Sequence, residues 1–227
     1  MTNAMRSHYR EKEISIGINS IRFKGSLVVP DRARGVVLFA DGSGSSRFSS
    51  HNRHVAQLLH ESRLATLLID LLTTKEEKID RHTKQFQFDI GLLAERLVDS
   101  TRWLQQNSST KNLRIGYCGS GTGSAAALFA AADFPEAISA IVSRSGRPDL
   151  AGSAMTRIKA PTLLIVGEKD ISTEEINRQA FCHLSSEKKM IVIPEATHLF
   201  TELEILNEVG KLAGQWFSHY LDPSSKK

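Results

Sequence analysis

The sequence predicts an α/β fold built around one mostly parallel sheet, and two observations carry that expectation. Short runs along the chain are apolar at every position, as strands buried between two layers of helix must be. Between those runs, apolar residues recur at helical spacing. Steady alternation of the two patterns gives a sheet covered on both faces. The right-handed crossover rule leaves few ways to connect it.

The elements follow in order. EISIGI (13–18) and IRFKGSLVVP (21–30) read as an opening antiparallel hairpin that turns at Asn19-Ser20. The apolar runs GVVLFA (35–40), ATLLID (65–70), LRIGYC (113–118), ISAIVS (138–143), TLLIVG (162–167) and MIVIP (190–194) supply the parallel strands. Val55, Leu58 and Leu59 mark the apolar face of a first helix, and Ile90, Leu93, Ala94, Leu97 and Val98 that of a second ending near Trp103-Leu104. Ala125, Leu128, Phe129 and Ala132 mark a third, and Leu206, Val209, Leu212, Ala213 and Trp216 a fourth. KEEKIDRHTK (75–84) mixes both charges and reads as solvated surface.

Composition bounds the function. A length of 227 residues suits one α/β domain over 1–227, with 1–9 and 222–227 as flexible ends. With 41% hydrophobic and 24% charged residues, the chain has the makeup of a globular protein that can bury a core unaided. No apolar run approaches the ~20 residues that span a bilayer, and the N-terminus is not a secretory signal. Cys118 and Cys182 match no zinc spacing and make no disulfide framework, so a reduced, cytoplasmic protein is expected. The net charge of +4 is spread without a basic stripe, which argues against nucleic acid as a partner.

In such sheets ligands bind at the carboxyl ends of the strands. The first of these ends runs into Asp41-Gly42-Ser43-Gly44-Ser45-Ser46-Arg47, a small-residue loop whose backbone N–H groups are free to meet an oxyanion; a capped turn is the plainer alternative. LRIGYC runs into Gly119-Ser120-Gly121-Thr122-Gly123 before an Ala-rich helix, the setting of a G-x-S-x-G nucleophile elbow with Gly121 at its centre. The same glycines could cradle a phosphate, although neither G-x-x-x-x-G-K-[ST] nor G-x-G-x-x-G is complete. Asp170 follows the next-to-last strand and His198 the last, the chain order of a nucleophile–acid–base triad.

GVVLFADGSGSSRFS (35–49), LLIDLLT (67–73), FDIGLLAERL (88–97), GYCGSGTGSAAAL (116–128), VSRSGRPDLAG (142–152), APTLLIVGEKD (160–170) and ATHLF (196–200) together resemble the α/β-hydrolases, specifically the dienelactone-hydrolase-like group. The resemblance runs from about Ile21 to Tyr220. It implies hydrolysis of an ester, lactone or similar acyl bond through an acyl-enzyme, with no cofactor and no metal. The acid falls on Asp170, the base on His198, and the oxyanion donors on the backbone N–H of Thr122 and of Ser43. The nucleophile falls on Gly121, which has no side chain. Asp41 departs too, since related hydrolases commonly open this loop with His-Gly.

Ser120 lies one position early for an elbow nucleophile, Cys118 points into the core, and Cys182 lies in a helix away from the strand ends. Three accounts of Gly121 stand side by side: an inactivated or engineered variant, a relative that binds without catalysis, or a His198–Asp170 pair that activates water. Arg47, Arg144 and Arg147 are placed around the crevice, as ordinary solvated or paired arginines or as holders of a substrate carboxylate or phosphate. The expected partner is a small acyl compound, an anionic one included, and a homodimer is compatible. A nucleotide-binding module, using Gly119 to Gly123 and Arg144, is the rival.

Overall fold

The computed structural model describes residues 10–18, 21–41 and 46–225. Strands β1 (Lys12–Ile18) and β2 (Ile21–Val28) pair antiparallel, as expected of the hairpin, and the Asn19-Ser20 turn lies outside the described residues. The sheet continues with β3 (Gly35–Asp41), β4 (Leu64–Ile69), β5 (Arg114–Ser120), β6 (Ile138–Gly146), β7 (Thr162–Gly167) and β8 (Lys188–Ile193). Its order is β1-β2-β4-β3-β5-β6-β7-β8. β2 runs antiparallel to β4, and every pairing from β4 through β8 is parallel.

The central strands are apolar at every position because both faces are covered. Val37, Phe39, Cys118 and Val142 meet α1 (Ser50–Glu61) and a C-terminal helix (Leu203–Leu221) through Val55, Leu59, Val209 and Phe217. Leu38, Tyr117, Ile141 and Leu164 pack on the other face with Leu93, Leu97, Ala127 and Leu128. That second layer holds α2 (Thr74–Thr83), α3 (Ile90–Gln106), α4 (Gly121–Asp133) and α5 (Ile171–His183), which makes the C-terminal helix α6.

The mixed-charge stretch at 75–84 is solvated, yet it is also helical. Asp80 is the only buried residue of α2, so no apolar face announces the helix. A capping box sets it instead: the Thr73 hydroxyl accepts from the Glu76 N–H while the Glu76 carboxylate accepts from the Thr73 N–H. Glu76 then takes the buried Arg96 of α3 at 2.6 Å, tying α2 to the fold. Among the described residues, no helix is long and apolar enough to cross a membrane.

Candidate active site

The elbow forms where β5 passes straight into α4. A Cβ on Gly119 would stand 2.5 Å from Ser124 Cα, and one on Gly123 would strike the Ala40 carbonyl. These two glycines therefore let α4 lie against β5 and β3, and their close contacts are with protein rather than with a bound phosphate. Gly121 differs. Its φ is +52°, the left-handed region that a sharp strand-to-helix turn demands, and a Cβ there would meet nothing within 4 Å. The elbow thus keeps its geometry and the room for a side chain. Thr122 opens the first turn of α4, where backbone N–H groups have no intrahelical partner, and Ser120 makes no side-chain cap.

Asp170 and His198, the two residues the sequence offers as acid and base, lie in direct contact. Asp170 is the N-cap of α5 and accepts from the Thr173 N–H at 3.4 Å. His198 sits in the turn after β8, and that turn is pinned to the end of β7: Lys169 N–H donates to the Ala196 carbonyl at 2.9 Å, and Glu195 N–H to the Glu168 carboxylate at 2.9 Å. Gly167 permits the approach, since a Cβ there would collide with the same Ala196 carbonyl. His198 Nδ1 lies 2.5 Å from Asp170 Oδ2. Donation from Nδ1 leaves Nε2 with the lone pair a general base needs. Burial would push the Asp170 carboxyl up, but the hydrogen bonds from Thr173 and His198 outweigh it and hold it below its ordinary value. The His198 side chain is 50% exposed, with its carboxylate partner sheltered beneath it.

Gly121, Thr122, Asp170 and His198 line one crevice of about 690 Å³ at the carboxyl ends of the strands. Arg144 and Arg147 also line it. Arg147 is held by both oxygens of Asp149, at 2.9 and 2.7 Å. Arg47 lies apart from the lining: it pairs with Asp70 at 2.6 Å and stacks on Phe48, so its charge is taken up at the end of β4. Ser43 lies outside the described residues. Cys118 is fully buried, and burial pushes its thiol up, away from the thiolate a nucleophile requires. Cys182 is in α5, as expected, and is exposed.

The structure joins three residues already singled out in the sequence into one row and adds others that sequence reasoning missed. Asp41, Ser120 and Arg144 are register neighbours across β3, β5 and β6, so they form a polar row over three strand ends. Asn52 of α1 closes over this row, donating to Asp41 Oδ2 at 3.1 Å and accepting from Arg144 at 2.6 Å. Its signal was available: Asn52 falls on the buried stripe with Val55, Ala56 and Leu59, a polar residue where the period calls for an apolar one. Gln87 and Phe88 reach the crevice from the loop after α2, which the buried Asp80 carboxylate holds by accepting from Phe86 N–H at 2.7 Å and Gln87 N–H at 3.1 Å.

Residues 23–210 match the model of the dienelactone hydrolase family. The crystal structure of a dienelactone hydrolase from Anabaena variabilis is 52% identical, with a TM-score of 0.91 over 94% of this chain and 99% of that one. Est1E from Butyrivibrio proteoclasticus shares the fold, with a TM-score of 0.73 at 15% identity over 91% of this chain and 99% of its own. A Mycobacterium tuberculosis protein named "Putative phosphoribosyl transferase" is 46% identical over 93% of this chain and 47% of its own length. The chain thus spans about half the length of the curated relatives it matches.

Proposed function

The chain belongs to the dienelactone hydrolase family, and on that premise we propose that its crevice acts on ester or lactone bonds with the acid–base pair kept and the nucleophile absent. The observation that carries the reading is Gly121 at φ +52° with open space before it, in the same crevice as a bonded His198–Asp170 pair. The His198–Asp170 contact, the left-handed turn at Gly121 and the position of Thr122 at the start of α4 support the reading, and the side chain of a nucleophile is what it lacks.

The chemistry left to such a site is direct attack by water. His198 Nε2 takes a proton from a water molecule beside Gly121, and the hydroxide adds to the acyl carbon. The Thr122 N–H, at the positive end of α4, stabilises the developing oxyanion. The tetrahedral species collapses, and the proton on His198 passes to the departing alkoxide. Asp170 orients the ring and stabilises the transient imidazolium without accepting its proton. No acyl-enzyme forms. Turnover is slow, because residual catalysis by a site missing one triad member is ~10³–10⁴-fold over water. The phosphoribosyl-transferase name belongs to proteins of about twice this length and is not carried over. Two free cysteines are consistent with a reducing, cytoplasmic setting.

The test is p-nitrophenyl acetate with the chain as it stands and with Gly121→Ser. The native chain is expected to show no burst. The Gly121→Ser variant should show one, with a single acetyl group on the introduced hydroxyl, found by intact mass. Its kcat should rise by about 10³-fold or more, and His198→Ala in that background should abolish the gain. A folded Gly121→Ser protein with neither burst nor acetyl adduct would overturn the reading.

A further inference from the structure

Arg144 is 4% exposed, yet it lines the crevice. A buried guanidinium is ordinarily paired with a carboxylate, because leaving a charge unpaired out of water is costly. Among the described residues, which include every Asp and Glu of the chain, none forms an ion pair with Arg144. Its contacts are the neutral Asn52 carbonyl at 2.6 Å, the Phe39 ring at 5.7 Å and the buried Cys118 thiol. Its Nε has no partner.

The neighbouring residue repeats the pattern. Ser145 is 4% exposed, lines the same crevice, and its hydroxyl has no partner either. It also holds φ +41°, a conformation uncommon for a residue other than glycine and one that recurs at ligand sites. Two buried donors without acceptors thus lie near the end of β6 in the lining of one crevice, next to β5, which leads into the uncapped start of α4.

We propose that Arg144 and Ser145 bind the oxyanion of a ligand, a carboxylate or a phosphate, in the crevice beside Gly121. The guanidinium offers Nε–H, the Ser145 hydroxyl a second donor, and the first turn of α4 further N–H groups. Asp41 stands on the same wall as the carboxylate of this row, and Asn52 stands between it and Arg144. The anionic group therefore sits at the Arg144 end, away from the Asp41 carboxylate. This rests on the reading of the crevice as a site for acyl compounds and adds the charge of the compound it takes.

The experiment is thermal shift and calorimetric titration of the intact chain at pH 8, with inorganic phosphate and separately with acetate, each against chloride at equal ionic strength. Saturable stabilisation by at least one oxyanion is expected. A response to phosphate alone identifies a phosphate ligand, to acetate alone a carboxylate ligand, and to both the shared oxyanion chemistry. Arg144→Gln should weaken binding tenfold or more, while Arg157→Gln, on an exposed pair with Asp133, should leave it unchanged. Should Arg144→Gln fail to fold, Arg144→Lys keeps the charge but loses the planar fork and should also weaken binding about tenfold. No saturable response to either ion, or equal binding by a folded Arg144 variant and the native chain, overturns the proposal. Binding of simple ions is read without any ester, so a missing burst in Gly121→Ser leaves this result standing, and missing ion binding leaves the hydrolase reading standing.

Discussion

Arg96 and Arg144 are buried alike, at 5% and 4% exposure, and their surroundings could hardly differ more. Arg96 gives both terminal nitrogens to Glu76, at 2.6 and 3.0 Å, donates to the Leu71 carbonyl at 2.6 Å, and lies over the Phe23 ring at 4.8 Å. Arg144 has one neutral side-chain acceptor at 2.6 Å and an unpartnered Nε. The first cation closes a joint between β4, α2 and α3. The second is held in the wall of a crevice with part of its bonding capacity unused. Burial says only that each charge is costly; the list of partners says what the cost serves.

Stability measurements can break or sharpen this contrast. The largest effect is expected from Arg96→Ala, which leaves Glu76 without its cation and frees the base of α2. It should lose about 3–5 kcal/mol in urea unfolding, and a loss below ~1 kcal/mol would place Arg96 with Arg144 as a residue the fold can spare.

Acid acts on the scaffold through another buried group. His60 bonds Thr66 at 2.7 Å, between α1 and β4, and burial lowers its pKa from 6.5 to about 4, only partly opposed by Glu11. Because the folded value lies below the unfolded one, the unfolded chain takes the proton first. The stability contributed by neutral His60 is complete above pH 6.5 and is lost as pH falls towards 4. The loss should approach about 3 kcal/mol, read as a fall in urea midpoint that His60→Asn flattens.

The smallest effect is expected from Arg144→Met. A similar-sized apolar side chain removes an uncompensated buried charge, so stability should change by less than about 1 kcal/mol, or rise. A loss as large as that of Arg96→Ala would make Arg144 a structural residue.

The strands were legible because a sheet covered on both sides requires runs such as GVVLFA and TLLIVG, and few other structures do. Asp170 and His198 stood out as candidates through their order at strand ends, and the structure joins them by a direct hydrogen bond. What stayed hidden depends on contacts between residues far apart in sequence. Helix α2 has no apolar face and owes its place to Thr73, Glu76 and Arg96. Arg47 and Arg144 look equivalent as letters, yet one pairs with the Asp70 carboxylate after β4 while the other bonds the neutral Asn52. Proximity in the fold separates them, and no local pattern encodes it.

The three glycines of the elbow also differ in how they constrain descent. Gly119 and Gly123 cannot acquire a side chain without moving Ser124 or the Ala40 carbonyl, whereas Gly121 has room before it. Changes at the outer two are therefore barred by packing, whereas a side chain at the centre meets the backbone strain of φ +52° but no neighbouring atom. Glycine and serine codons of the GGT and AGT type differ by a single base. Where Gly121 is encoded by a codon of that type, one point mutation would place a hydroxyl at the centre of the elbow, in the crevice that Asp170 and His198 also line.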